Sequence, residues 1–190
     1  MKRIAIFASG TGSNAQKIIE FTKNLQDQEV ALVVTNKSDA GVLEIAEKNE
    51  IESLVINRRS LNETNKLLEF LIQKGIDFIV LAGFLLLVPR YLVKAFPKRI
   101  VNIHPALLPK FGGKGMFGNK VHQAVKAAGE LTSGPTIHYV NEHYDDGAVI
   151  FQAECSIDQQ DSSEDIAAKV LQLEHKYYPK VVASLVTNLP

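Results

Sequence analysis

Asn102 and His104 stand two residues apart in the run RIVNIHPALLP. Alternate residues of a strand share a face, so this amide and imidazole project to the same side where an apolar strand at 100–102 runs out. Side by side, they can hydrogen-bond an oxygen that turns negative in a transition state. Neither is a strong nucleophile, and no G-x-S-x-G turn supplies one. Pro105 then turns the chain into a long segment rich in Gly and Pro, longer than an ordinary connector. The plainer alternative is a buried Asn–His pair that satisfies local backbone.

An acid for that pair stands in HYVNEHYDDGAV, which supplies Asp145 and Asp146. A carboxylate beside His104 would raise the imidazole above its ordinary value of about 6.5 and favour its charged form. Asp-Asp-Gly is also plain turn sequence. His138, His143, Asp145 and Asp146 are possible metal ligands, but neither H-x-x-x-H nor C-x-x-C accompanies them, so no metal is expected.

A second group of candidates opens the chain. IFASGTGSNAQKII satisfies G-x-G-x-x-A from Gly10 to Ala15, between an apolar strand and a helical pattern. A dinucleotide site should also carry an acid at the end of the second strand. That strand ends in Thr35-Asn36-Lys37, and Asp39 lies beyond it. A single phosphate on the helix N-terminus is favoured, with Thr11, Ser13 and Asn14 adding short polar side chains. An empty structural turn is the alternative.

The elements that must position these residues alternate. Apolar runs at 4–8, 29–35, 53–56, 78–82 and 100–102 read as strands, and helical spacing fills 15–23, 41–48, 62–74 and 90–95. This predicts an α/β fold: a Rossmann-like, doubly wound, mostly parallel sheet with helices on both faces. Later, TIHYV and AVIFQAECSI read as two strands forming an antiparallel C-terminal edge, with a helix at 121–128 before them. A last helix, capped by Ser162 or Ser163, is expected to run to about Tyr178, where Pro179 interrupts the pattern. With 190 residues, 46% of them hydrophobic, and no linker or repeat, one domain over 1–190 is expected.

Charge is balanced, 21 Lys and Arg against 21 Asp and Glu, so no global field points to nucleic acid or an anionic membrane. The single cysteine, Cys155, lies in apolar surroundings and fits a reducing cytoplasm. No apolar stretch is long enough to be a signal h-region or to span a bilayer.

The glycine turn read as G-x-G-S-N, then LAGF, NIHPALLP, TIHYV with DDGAVI, and LEHKYYP, together resemble the phosphoribosylglycinamide formyltransferase family from end to end. The resemblance implies transfer of the formyl group of 10-formyltetrahydrofolate to the amine of 5-phosphoribosylglycinamide (GAR), in de novo purine biosynthesis. Asn102, His104 and Asp145 would be the catalytic trio, the first two stabilising the oxyanion and Asp145 raising the His104 pKa. Gly12, Ser13 and Asn14 would hold the substrate phosphate, Glu174 its ribose hydroxyls, and Gly83 would lie against it. Leu85, Leu86, Leu87, Val88 and Val93, with Asn102, would line the pteridine pocket. Backbone from Asn141, Glu142, His143, Tyr144 and Asp145 would form its other wall. The implied partners are small molecules, with neither nucleic acid nor membrane, in a cytoplasmic monomer or homodimer.

Some positions depart from the family pattern. Leu86 stands where many relatives have arginine, and Asn62 is the nearest match to an arginine that often begins the third helix. Asp146 occupies a position where a small residue is usual, and residues 110–123 are longer and richer in glycine than the usual connection. Another formyl-folate enzyme, with a different amine acceptor or with water as acceptor, shares the trio. A Rossmann-like nucleotide-binding module would leave the trio without work.

Overall fold

The protein is described by a computed structural model that covers residues 1–63 and 65–190. Five parallel strands form the centre: β1 (Lys2–Phe7), β2 (Gln28–Thr35), β3 (Glu52–Val55), β4 (Phe78–Leu81) and β5 (Ile100–His104). Two antiparallel strands complete one edge, β7 (Thr136–Tyr139) and β8 (Val149–Gln152), giving the order β3-β2-β1-β4-β5-β7-β8. This is the expected doubly wound sheet with an antiparallel C-terminal edge. A separate short pair joins β6 (Thr132–Ser133) to β9 (Cys155–Ser156).

Alternation in β1 shows why both faces are covered. Ile4 and Ile6 enter one core with Val33, Val80 and Val101, while Ala5 and Phe7 enter the other with Leu32, Ile79 and Leu81. From Ile4 to Phe7 every side chain is buried on one face or the other, so such a strand reads as a continuous apolar run. The first core is roofed by α1 (Ser13–Thr22), α2 (Val42–Lys48) and α7 (Ser163–Thr187). The second lies under α3 (Arg58–Glu63), α4 (Lys66–Gln73) and α5 (Arg90–Ala95). The remaining helix, α6 (Asn119–Ala127), packs against α7.

Four boundaries differ from the sequence expectation. Strand β5 continues to His104, because β7 pairs with it up to His104 opposite Thr136. The single helix expected at 62–74 is two, and the first begins at Arg58. There Asn57 and Ser60 cap each other reciprocally: the Ser60 N–H donates to Asn57 Oδ1 at 2.8 Å and the Asn57 N–H to Ser60 Oγ at 3.1 Å. The run AVIFQAECSI is not one strand but β8 and β9, which belong to different sheets.

Helix α7 runs on through Pro179 to Thr187. Its start is the expected one, with Ser162 and Asp165 forming a capping box. Proline costs it one backbone bond, yet Tyr178, Pro179, Val182, Ala183 and Val186 are all buried. Continued burial of that apolar face outweighs the missing bond. Among the described residues no helix is long and apolar enough to cross a membrane.

Candidate active site

The carboxyl ends of β1, β4 and β5 open into one cavity of about 760 Å³. Open α/β sheets place ligands there. The glycine turn forms one part of its wall. Gly12 has φ +82°, and a Cβ on it would lie 2.9 Å from the Cα of Val42, the first residue of α2. Glycine is therefore needed for α1 to pack this close to α2. No side chain caps α1 and its first turn holds no acid, so its free N–H groups and partial positive charge face the cavity with Gly12, Ser13 and Asn14.

Ser9 ties this turn to the next loop. Its hydroxyl donates to Asn36 and accepts the Leu85 N–H at 3.0 Å, while its own N–H donates to the Gly83 carbonyl at 3.0 Å. Asn36 thus stands at the end of β2, where a dinucleotide site would carry an acid, and Asp39 is exposed in the loop beyond.

Glu174 reaches the same cavity from α7. Burial lifts its carboxyl to about 7, opposed only by a hydrogen bond from Asn14 Nδ2 at 2.6 Å. Asn14 Oδ1 is buried, and among the described residues no donor reaches it. A carboxyl poised near neutrality beside an open helix N-terminus suits a ligand that is both hydroxylated and anionic.

The trio expected from sequence is brought together. His104 Nδ1 lies 3.4 Å from Asp145 Oδ2, and Asn102 Nδ2 lies 3.4 Å from Asp145 Oδ1. Asp145 sits at φ +53°, a left-handed conformation that suits Asp or Asn better than most residues, and its Oδ2 accepts the Gly113 N–H at 3.0 Å. Gly147 explains the rest of the Asp-Asp-Gly turn. A Cβ there would lie 1.7 Å from the Tyr139 carbonyl oxygen, so only glycine lets β8 return this closely beside β7. Asp146 turns aside, accepting from Asn141 Nδ2 at 3.1 Å.

The electrostatics differ from the expectation in one respect. Asp145 does push His104 upward, as the sequence reading had it. Burial is the larger influence, however, and holds the imidazole below its ordinary value. Its Nε2–H donates to the Phe111 carbonyl at 2.8 Å. For Asp145, burial is the largest influence and works upward. The bond from His138, the charge on His104 and the Gly113 N–H together outweigh it, so the carboxyl lies below its usual range and is ionised.

Of the expected folate-pocket residues, Leu85, Leu86, Leu87 and Val88 line the cavity, as do Gly83, His143 and Tyr144. Val93 does not: it is a half-buried residue of α5 that packs against the second core. Asn141 and Glu142 also lie off the cavity, Glu142 pairing with Arg90 at 2.8 Å. Asn62 is turned back on its own helix, donating to the Arg58 carbonyl at 2.7 Å. Arg58 itself opens α3 and lines the cavity, so the helix does begin with an arginine there.

Two histidines in the wall were not expected as part of the organic site. His138, on β7, had been considered only as a metal ligand; it lies 3.1 Å from Asn102 Nδ2 and 3.7 Å from Asp145 Oδ1. His122, on α6, is buried, with Nδ1 unpartnered among the described residues. Its sequence signal, VHQAV, reads only as one side of an amphipathic helix.

Comparison with known proteins agrees with this geometry. The formyl transferase family profile matches residues 2–182. Phosphoribosylglycinamide formyltransferase of Bacillus subtilis is 37% identical over 97% of this chain and 95% of its own length. The chloroplastic phosphoribosylglycinamide formyltransferase of Arabidopsis thaliana is 46% identical over 97% of this chain, but the chain spans only 65% of that relative's length. The corresponding span of the Vigna unguiculata protein is 61%. Among solved structures, phosphoribosylglycinamide formyltransferase from Bacillus halodurans superposes with a TM-score of 0.88 at 38% identity, covering 98% of this chain and 96% of that one. An open helix N-terminus, a buried carboxyl and an Asn–His–Asp cluster share one cavity on a fold that these relatives also possess, and the chain belongs to the formyl transferase family.

Proposed function

We propose that the protein transfers the formyl group of 10-formyltetrahydrofolate to the amine of GAR, as a cytoplasmic enzyme of de novo purine biosynthesis acting as one domain. The observation that carries this reading is the make-up of the cavity at the carboxyl ends of the strands. Its polar part joins the uncapped N-terminus of α1 to Glu174, a match for a phosphate and ribose hydroxyls. Its apolar part, from Leu85 to Val88, suits a flat heterocycle. The names of the relatives support the choice of GAR as acceptor. Cys155 fits the same picture: burial raises its thiol, which donates to the Ser133 carbonyl at 3.4 Å, a structural rather than a reactive role.

The folate derivative supplies a formyl carbon already activated on nitrogen, and the chain supplies placement and charge. His104 gives up the Phe111 carbonyl and directs its Nε2–H to the formyl oxygen. It does so as a neutral imidazole that gains basicity only as the oxygen becomes negative, rather than as the standing imidazolium that the sequence suggests. Asp145, ionised, stabilises the positive charge that His104 takes on as its basicity rises, and relays the proton lost by the amine toward the leaving nitrogen. The anchored phosphate holds the amine within reach of the carbon, which supplies much of the rate.

The test is direct. The purified chain is incubated with GAR and 10-formyltetrahydrofolate, and formylated product is measured. Equal folate turnover with and without GAR would instead indicate water as acceptor. Stabilisation by NAD alone would indicate the nucleotide-binding alternative.

A further inference from the structure

His122 lies on α6 with the fully buried Val121 and Val125, and is itself only 6% exposed. It lines the cavity, yet neither ring nitrogen has a hydrogen-bond partner among the described residues. Nδ1 is sealed and Nε2 is not, so Nε2 is the nitrogen that opens to the cavity. Burial first, and the charge of His104 second, hold the ring below its ordinary value, so it is neutral and carries one N–H. On the sealed Nδ1 that N–H would meet no acceptor, which places it on Nε2.

A buried imidazole without partners is costly, and a leucine would suit the same side of α6 better. The cost is recovered where a ligand supplies the missing acceptor. The neighbours of α6 say which group that is. Asn119 Nδ2, at the start of α6, donates to Glu164 Oε1 at 2.8 Å and ties the helix to α7, which carries Glu174. His122 also lies within electrostatic reach of His104. It thus stands beside the two elements that hold the ends of one span of the acceptor: Glu174 at the ribose hydroxyls and His104 at the reacting centre. In GAR the group between ribose and amine is a carboxamide, and its oxygen is an acceptor.

We propose that His122 is a substrate-binding residue whose Nε2–H donates to the carboxamide oxygen of GAR. This rests on the amine-formylating reading above. With the phosphate anchored at α1 and the carboxamide held at α6, rotation about one bond is left to place the amine. The same donor discriminates: a ligand without the carboxamide leaves a buried N–H unpaired.

The experiment compares GAR with ribose 5-phosphate, which shares the phosphate and the hydroxyls but lacks the carboxamide. Calorimetric titration of wild type, H122L and H122Q gives both affinities without turnover. In H122L, GAR should bind roughly 10-fold more weakly, with ribose 5-phosphate unchanged and a melting temperature at or above that of wild type. H122Q keeps a donor and should recover much of the loss. Unchanged GAR affinity in H122L, or equal losses for the two ligands, overturns the proposal. Wild-type protein labelled with 15N-histidine gives a second test that needs no variant to fold. The His122 ring nitrogens should shift on adding GAR and stay in place with ribose 5-phosphate; a response to both, or to a folate analogue alone, overturns the proposal. GAR that binds as expected but is never formylated strikes the proposed function alone, whereas wild-type protein that does not bind GAR strikes both.

Discussion

Asn14 and Glu174 lie 160 positions apart in the sequence, and the amide of the first donates to the carboxyl of the second at 2.6 Å. The contact joins the first turn of α1 to the middle of α7 and gives a buried acid its hydrogen bond. It also sets a conflict: the group best suited to grip hydroxyls is expensive to keep ionised where it sits.

That conflict is measurable as pH-dependent stability. The Glu174 carboxyl stands at 4.5 unfolded and at about 7 folded, so the folded state holds the proton more tightly. Its contribution is fully present below pH 4.5 and is lost as pH rises through 7, an effect on the order of 3 kcal/mol. Glu174→Gln should flatten this profile and be the more stable protein at pH 8 by several degrees in Tm, while binding GAR more weakly. Chemical denaturation across pH 4 to 8 checks it; parallel profiles for the two proteins would refute it.

The glycine turn predicts a split between ligands. Ser13→Ala with Asn14→Ala should raise KM for GAR at least tenfold, since two bonds to a charged group at about 1.5–3 kcal/mol each are lost. Affinity for a folate analogue should hold. Binding isotherms for GAR, the analogue and NAD decide it: unchanged GAR affinity removes the phosphate reading, and NAD binding that weakens in the variant restores the dinucleotide one.

Asp145 should be the working acid and Asp146 a turn residue. Asp145→Asn removes the upward push on His104, so the imidazole titrates still lower, and kcat should fall by about two to four decades. Asp146→Asn should cost far less, because its carboxylate faces Asn141. Kinetics of the pair, with an NMR titration of His104, test both halves; a larger loss at Asp146 would reverse the assignment.

Gly147→Ala should act on structure and chemistry together. The new methyl would meet the Tyr139 carbonyl at 1.7 Å, so β8 must move and carry Asp145 with it. A loss of about 1–3 kcal/mol by urea denaturation is expected, accompanied by reduced kcat. Unchanged stability would show that the turn has slack.

Much of this was legible in the residues. Continuous apolar runs such as FIVL mark strands buried on both faces, and the two-residue spacing of Asn102 and His104 places them together whatever the sheet around them. What a strand will face across an antiparallel ladder is not so marked. His138 becomes the partner of Asn102 only through the β5–β7 register, which no local pattern encodes. Burial was equally hidden. The neighbouring acid suggested a charged His104, but how deep the ring sits depends on Phe111 and the loop after it, and that depth governs its titration. Val93 and Arg58 went astray for a simpler reason. One helix face and one helix start were misplaced, and the Asn57–Ser60 box was the available signal for the second.

The reach of α7 has a kinetic consequence. Tyr178, one turn beyond Glu174, donates to the Leu81 carbonyl at 2.8 Å, so the helix that completes the cavity docks on strand ends formed from distant parts of the chain. Closing so long a loop is entropically slow, and docking of this kind follows assembly of the sheet. During refolding, far-UV ellipticity should therefore return ahead of GAR affinity, and the interval between the two signals is the time the last helix takes to find its seat.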